Sequence, residues 1–592
     1  MRVRVYHNGD DVFIAWKLDG PIEACRGFAL LRRRNGVDQI VETWVGFKGQ
    51  THADGESRAS TLWPIQRFQW TDYMADPGDR LQYRVVPMVG PKKENLHQET
   101  DLATEWTKEI TLNHEVAPHI EAYFNRGIVA AQWVSKRLGV GAAETYSGKG
   151  KDDPAQKELS RVIDTAGDPM RKFLMGDLGA RLLKLLKDAL DEGREVHAAL
   201  YEFGDSELEA ALIALGKHAH VVLANDSPKA RKKTDAEKQQ EAETGKKIKI
   251  PRGDPMAKVR ARLKAKIDLH DRILPFGTLG HNKFLVVSDA AGKARWVWTG
   301  STNWTKTGLC TQANNAVLVD DADLAAQYLE QWNLLKGAGN DTPKSLKLSN
   351  TQSRGLTIGQ AGTTLWFTPT VGGGDLKEAR SAIESAEQAI LFLMFNPGPS
   401  ADTLLGQIVA TARKLPRNKP LYIRGALNQD PSTKAHPVEL FEQANVEHAD
   451  FEVVLPAAID APTDWFRREL RKTDEGIAMV HSKVVVIDPF GAKPVVITGS
   501  HNLGPKASRT NDENLLIIRD VPGLASAYAT NIMAIFNQYN WRFNKLNKPG
   551  STSYQGLRDS QYWQPWYWKT DTAKAKKTVE EKFFEMDFWV GQ

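Results

Sequence analysis

Two strings in this chain of 592 residues join a histidine, a lysine two places on, and a downstream Gly-Ser-x-Asn turn. The first begins His281-Asn282-Lys283-Phe284-Leu285-Val286-Val287-Ser288-Asp289 and ends Gly300-Ser301-Thr302-Asn303. The second begins His481-Ser482-Lys483-Val484-Val485-Val486-Ile487-Asp488 and ends Gly499-Ser500-His501-Asn502. The histidines stand 200 residues apart, and each glycine follows its histidine by 19 or 18 residues. Side chains two apart on a strand share a face, so each imidazole is expected beside an ammonium. That pair suits a phosphate. Lysine neutralises anionic oxygen, while a neutral imidazole attacks phosphorus and a protonated one delivers a proton to a leaving oxygen. Ser301, Ser500, Asn303 and Asn502 can add donors to phosphoryl oxygens, and the glycine permits a close backbone turn. Two such sets facing one another would form one site.

A lone His-x-Lys-x4-Asp string is weak evidence, since about 0.1 would arise by chance in a chain this long. Two copies with matching turns, each followed by an Asn-rich strand, make coincidence a poor account. The first copy departs from the pattern. Counted from His281, the aspartate position holds Ser288; counted back from Gly300, Asp289 aligns with Asp488. One residue has been added between, and a bulge or strand-end kink is needed for equivalence. Asp289 and Asp488 are therefore open candidates, with a strand-end hydrogen-bonding role as the alternative.

The elements around these strings are helices alternating with short apolar strands from about residue 116, as in Arg181 to Leu190 followed by Glu195 to Phe203. Residues 336 to 355, rich in Gly, Asn, Ser, Thr and Lys, read as a linker that divides two similar halves. Val196 to Phe203 and Ala389 to Phe395 are matching strands, so an internal repeat of about two hundred residues is expected. The first 115 residues show period-two runs such as Val12-Phe13-Ile14-Ala15-Trp16 separated by turns, the pattern of a small antiparallel sandwich similar to a fibronectin type III module. The expected domains are 1–115, 116–345 and 346–592.

Composition sets outer bounds. The 78 basic and 73 acidic residues leave a net charge of +5, compatible with an anionic partner without demanding one. Two cysteines far apart exclude a disulfide framework or a cysteine zinc site and favour a reducing compartment. The N-terminus reads as a strand and not a signal peptide, which points to the cytoplasm, and no apolar run approaches the roughly 18 residues of a spanning helix. His114-Glu115-Val116-Ala117-Pro118-His119 resembles a zinc-protease helix but has one residue too many, and Pro118 breaks the helix. Gly372-Gly373-Gly374-Asp375 reads as a loop ending in an Asp N-cap in preference to a phosphate cradle. His197 and His218 read as structural or exposed. The basic stretch Lys229 to Lys266 is either a solvated loop and helix or a grip for a polyanion or anionic membrane. The aromatic C-terminus, Tyr562 to Trp568 and Phe583 to Trp589, packs on its own domain or touches a lipid interface.

On the paired motifs, residues 116 to 545 resemble the phospholipase D superfamily. The resemblance implies an α/β fold, a pseudo-twofold α/β/α/β sandwich preceded here by the small all-β sandwich, with one active site between the halves. It implies two-step, metal-independent phosphodiester cleavage through a phosphohistidine, completed by water or by an alcohol in transphosphatidylation, with no cofactor. Asn315 and Asn514 each lie 14 residues after their motif serine, so Glu513 falls opposite Asn314. In similar enzymes an acidic residue of one half bonds the histidine of the other, which would pair Glu513 with His281 and Asn314 with His481. A carboxylate behind an imidazole stabilises the charge it gains on attack, which makes His281 the expected nucleophile and His481 the general acid, then base. The expected site is His281, Lys283, Ser301, Asn303, His481, Lys483, Ser500, Asn502 and Glu513, with Asp289, Asp488 and Asn314 in question and no metal. A glycerophospholipid is the favoured substrate, with peripheral membrane contact; a nuclease is the alternative, and a non-catalytic anion- or membrane-binding protein comes third.

Overall fold

The strand Val12–Lys17 is buried along its whole length, and that explains how the N-terminal region sits on the rest of the chain. The computed structural model describes residues 1–50, 56–127, 154–225, 234–245, 254–414, 421–428, 451–454, 479–546, 556–567 and 585–591. A sheet of Arg2–His7, Val12–Lys17 and Gln69–Asp72 packs on a second built around the long pair Cys25–Arg34 and Arg80–Val89. Val12, Ile14 and Trp16 point into the core between them, with Phe28, Leu30, Tyr83 and Val85. The alternate residues Phe13 and Ala15 point the other way, into the core of the following α/β unit.

That unit contains two eight-stranded mixed sheets that match strand for strand. In spatial order the first is Glu115–Ala117, Ile120–Phe124, Asn315–Asp320, Ala294–Gly300, Lys283–Ser288, Val196–Leu200, Ala219–Ala224 and Asp268–Arg272. The second is Arg354–Ile358, Ala361–Thr368, Glu513–Arg519, Val495–Gly499, Val484–Ile487, Ala389–Met394, Tyr422–Leu427 and Phe451–Val454. Helices Pro169–Asp191 and Ser206–Leu215 cover the outer face of the first sheet, and Gly374–Glu384 and Leu404–Lys414 that of the second. Between the sheets lie Ala322–Ala338 and Pro522–Leu546, whose Leu324, Tyr328, Leu335, Leu524, Tyr528 and Ile532 form one core with both sheets. Burying each such side chain contributes about 1.5–3 kcal/mol, so this shared layer is what holds the halves together.

The stretch 336–355 is more ordered than its polar composition predicts: it ends one helix, forms the helix Lys344–Ser349 with Leu346 buried, and enters the edge strand of the second sheet. The aromatic C-terminus turns inward. Trp563 lies in the sandwich core and donates to the Cys25 carbonyl at 3.0 Å, while Tyr567 meets Phe68 edge-on. Trp589 is buried against Tyr6, Phe13 and Phe490, and Phe588 stacks on Tyr422. Tyr562, at 68% exposure, is the described aromatic of this tail that faces solvent; Trp568 and Phe583 lie outside the described residues. Among the described residues no helix is long and apolar enough to cross a membrane.

Both motif glycines sit where a side chain has no room. A Cβ on Gly300 would lie 2.2 Å from the Asn315 carbonyl oxygen, and one on Gly499 would lie 2.3 Å from that of Asn514. Their φ values, +159° and +141°, add strain for any other residue. The following amides, Ser301 and Ser500, bond those same carbonyls at 3.0 and 3.1 Å. Gly300→Ala is expected to cost about 2–4 kcal/mol in urea unfolding. Gly337→Ala, in a helix with open space around it, should stabilise by about 0.5–1 kcal/mol.

Candidate active site

Each motif strand starts only after its histidine: regular pairing begins at Lys283 in one half and Val484 in the other. His281 and His481 lie in the short segments leading in, where each half touches the other. Gln312–Ala313 pairs in parallel with Met479–Val480, and the amides of His481 and Ser482 donate to the Ala313 carbonyl at 3.0 and 2.9 Å. On the other side of the pseudo-twofold axis the Asp512 amide donates to the Leu279 carbonyl at 2.8 Å. The Arg272 guanidinium grips both carboxylate oxygens of Asp512 at 2.8 and 3.0 Å with almost no exposure, a buried ion pair across the halves.

These contacts bring the partner of each histidine from the opposite half. His281 Nδ1 lies 2.9 Å from Glu513 Oε2, and His481 Nδ1 lies 2.9 Å from Asn314 Oδ1. Asn314 donates through Nδ2 to the Gly308 carbonyl at 2.8 Å, so its Oδ1 faces the imidazole as acceptor and His481 Nδ1 carries the proton. Asn511 Nδ2 donates to the second oxygen of Glu513 at 2.9 Å. In both rings Nδ1 is thereby held and Nε2 is left for chemistry.

The lysines are placed alike. Lys283 Nζ donates to the His281 carbonyl at 2.8 Å and lies 4.8 Å from the centre of the Tyr201 ring. Lys483 Nζ donates to the His481 carbonyl and lies 4.8 Å from the Phe395 ring. Tyr201 also meets the His281 ring at 4.6 Å, and Phe395 meets His481 at 4.8 Å. Neither aromatic was singled out by the spacing argument, although both directly follow the matching strands Val196–Leu200 and Ala389–Met394 and the repeat itself was the signal for them.

Burial holds the His281 imidazole down to about 4; Lys283 and Lys483 push the same way, and Glu513 opposes them. His481 lies well below the ordinary imidazole range through burial and then the two lysines. Burial, with Lys283 next, takes Lys483 well below the ordinary ammonium range. Burial raises Glu513, but the His281 ring that bonds it outweighs this and leaves the carboxylate below its usual range. The arrangement is one of two neutral imidazoles and two cation-bearing side chains, all buried, with a single carboxylate behind one imidazole.

The motif serines are committed to the scaffold. Ser301 Oγ and Ser500 Oγ each accept from the amide of Asn315 or Asn514 at 3.0 Å, and Ser301 donates to Asn314 Oδ1 at 2.8 Å. Asn303 donates to Glu202 at 2.9 Å. Asn303 Oδ1 and Asn502 Oδ1 are buried without a hydrogen-bond partner among the described residues, which leaves each a polar atom for substrate. Glu202, which stands opposite Asn396 in the repeat, was another residue the motif count passed over.

The aspartates at the ends of the motif strands have other work. Ser288 and Asp488 are equivalent, since their amides bond the Glu195 and Ala389 carbonyls at matching places in the two sheets. Ser288 Oγ accepts one amide, that of Glu195, at 2.9 Å, whereas Asp488 accepts three, from Glu387, Gln388 and Ala389 at 2.7–2.9 Å. Asp289 closes the following turn, accepting from the amides of Ala291 and Lys293 at 2.9 Å. The added residue sits across the hairpin, where the register slips between Val287 paired with Trp296 and Ser288 paired with Ala294. Counting back from Gly300 crossed that bulge, which is why it lined Asp289 up with Asp488.

Asp375 is likewise not an N-cap. Gly373 holds that place, and the buried Asp375 accepts from Ser508 at 2.7 Å and faces His501 Nε2 at 3.1 Å. In the basic stretch, Lys238 of the helix Asp235–Thr244 pairs with Asp235, and around the helix Ala257–Lys264, Arg260 pairs with Asp254 and Asp271, Arg262 with Glu209 and Lys264 with Asp271. These four charges are neutralised locally, while Lys258 and Lys266 are exposed. Lys229 to Lys233 and residues 246–253 lie outside the described residues.

Residues 182–335 and 434–540, one segment in each half, match the family described as "Cardiolipin synthase, PLD-like domain". No curated protein matches the chain. Among solved structures, phosphatidylserine synthase of Haemophilus influenzae Rd KW20 is similar over 61% of this chain and 85% of its own, with 13% identity and a TM-score of 0.40. The phospholipase D family member Nuc of Salmonella typhimurium is similar over 30% of this chain and 95% of its own, with 17% identity and a TM-score of 0.20. Polyphosphate kinase of Porphyromonas gingivalis is similar over 57% of this chain, with 11% identity and a TM-score of 0.35, and the match spans 45% of that enzyme.

The buried His281 makes stability depend on pH in a definite direction. Its folded value near 4 lies under the 6.5 of an unperturbed imidazole, so between these values the unfolded chain takes the proton first. This residue's contribution is complete above about pH 6.5 and is lost as pH falls toward 4. His281→Gln should flatten that part of the curve in urea titrations. Imidazole carbon NMR of the anion-free protein reads the value directly, and titration near 6.5 would contradict the burial described here.

Proposed function

Because both halves of this chain carry the phospholipase D-like domain, we propose that it is a phosphodiesterase acting through a covalent phosphohistidine. The observation that carries this reading is the crossed pairing of Glu513 with His281 and Asn314 with His481, between two buried lysines. The two lysines hold the non-bridging oxygens of the diester, and its negative charge offsets the electrostatic cost that keeps the imidazoles neutral.

His281 Nε2 attacks phosphorus, and the bond to the leaving oxygen breaks. The ring becomes cationic, which the Glu513 carboxylate compensates and the neutral Asn314 amide behind the other ring does not. His481, protonated once the anionic substrate is bound, gives its Nε2 proton to the leaving oxygen. It then takes a proton from water, whose oxygen attacks phosphorus and breaks the P–N bond. An alcohol in place of water gives transphosphatidylation by the same steps. No step calls on a cofactor.

For substrate we favour a glycerophospholipid, on the description of the matching family as cardiolipin synthase. The nuclease reading rests on the basic stretch, in which Arg260, Arg262 and Lys264 are already paired with acids.

Phospholipid vesicles and plasmid DNA, each with EDTA, are the assay pair. Release of head group or phosphatidic acid, lowered by about 10^3-fold or more in His281→Asn, is expected. DNA nicking without lipid turnover would favour the nuclease, and inactivity on both, with wild type and His281→Ala alike, would favour a binding protein. His481→Asn should accumulate a phosphoprotein that His281→Asn does not form, while the reverse would exchange the two roles. Glu513→Gln should lower kcat by about 10^2- to 10^4-fold with a smaller change in KM.

A further inference from the structure

We propose that Asp10, His114 and Asp177 form a binding site for a first-row divalent metal ion such as Zn2+, remote from the histidine–lysine site and set in the seam between the β-sandwich and the first half. The three residues come from separate segments. Asp10 lies in the loop between Arg2–His7 and Val12–Lys17, His114 in the connection into the first sheet, and Asp177 in the helix Pro169–Asp191. One ligand atom from each lies within 4.8 Å of the other two.

The backbone is shaped to bring them together. Asn8 Oδ1 accepts from the amides of Asp10 and Asp11 at 3.0 and 2.7 Å and curls the loop inward. A Cβ at Gly9, whose φ is +98°, would lie 2.3 Å from His114 Nδ1, so only glycine permits this approach. Gly176, at φ +54°, interrupts the helix one residue before Asp177.

Two observations point to a cation there. The first concerns the ring of His114. Its Nδ1 stands 3.1 Å from the Ala122 carbonyl, which only accepts, so Nδ1 bears hydrogen. In the neutral ring Nε2 then turns a lone pair toward Asp177 Oδ2 at 2.7 Å, an arrangement that needs positive charge between or beside the two atoms. A metal-bound imidazole is usually held in this way through its other nitrogen, here by the Ala122 carbonyl, with the remaining nitrogen left for the ion. The second concerns Asp10, which is 2% exposed with neither carboxylate oxygen hydrogen-bonded among the described residues. Arg126 Nη2 stands 3.6 Å from Asp10 Oδ1 without forming a hydrogen bond, and leaves two carboxylates with one cation. His7, Asp11 and Tyr123, whose ring stacks on His114 at 4.5 Å, are titratable neighbours in this seam, and none belongs to the set of three.

One imidazole nitrogen and two carboxylate oxygens suit a borderline divalent ion and leave a coordination position for water. Bound there, the ion would fasten the sandwich to the first half.

The test uses the full chain stripped with chelator and titrated with Zn2+. Wild type should bind one equivalent and melt at a higher temperature with the ion than without it. Asp10→Asn and His114→Gln should weaken binding by about 100-fold or more and abolish the thermal shift. Glu115→Gln, exposed on the same segment, should change neither. Zinc-edge X-ray absorption of wild type, which needs no variant to fold, should give one imidazole among oxygen ligands at about 2.0–2.1 Å. Failure of wild type to retain Zn2+ would mean that a proton on His114 supplies the charge, and would overturn the proposal. So would undiminished binding by Asp10→Asn, or a shell of several imidazoles, which would assign the ion to the network of His218, His220 and His270 around Glu195 and Asp268.

Discussion

Two lysines and two histidines lie almost wholly out of water where the halves of this protein meet, and burying such groups together is costly unless partners hold them. Backbone carbonyls of the histidines take the ammonium groups, aromatic faces lie beneath them, and one carboxylate stands behind one ring. Neither half supplies this set alone. The residue that holds His281 comes from the second sheet and the one that holds His481 from the first, so the site exists only once both have docked. The shared helical core, the buried Arg272–Asp512 pair and the two glycines that press neighbouring strands together all serve that docking.

The duplication is close in backbone and selective in chemistry. Strand order, the lysine contacts and the serine-to-amide bonds repeat with the same partners. Differences fall beside the histidines, with Glu513 against Asn314 and Tyr201 against Phe395, and also elsewhere, with the His501–Asp375 pair where the first half has Thr302 and Asp488 where it has Ser288. A symmetric scaffold can hold a phosphate equally from both sides. In the proposed mechanism one imidazole attacks and the other moves the proton, and that division rests on the asymmetry a single carboxylate provides.

Spacing picked out the two His–Lys strings and their Gly-Ser-x-Asn turns, because that constraint is local: a histidine and lysine two apart, a glycine that must turn, and an asparagine-rich strand that follows; the crossed pairing of Glu513 and Asn314 came from the family resemblance. The strand repeat was legible for the same reason, since apolar runs of five or six residues leave a period-two trace. Ser288, Asp289 and Asp488 were not, because their roles depend on a bulge in the facing strand, and a hairpin's register is not written in either strand by itself. Tyr201, Phe395 and Arg272 were missed because an aromatic under an ammonium, or an arginine bonded to a residue 240 positions away, has no local signature. The stretch 336–355, read from composition as a linker, runs between the elements of the two sheets and carries a short helix that buries one leucine.

The core of the N-terminal sandwich is completed by Trp563 and Met586, and Trp563 stands 538 residues downstream of Cys25, whose carbonyl it bonds. Domains made early on the ribosome usually fold as they emerge. This one is left with an apolar gap on its surface until Trp563 and Met586 have been made, so a sandwich translated before both α/β halves is completed after them. The tail works as a clasp, linking the completion of the sandwich to the presence of everything between.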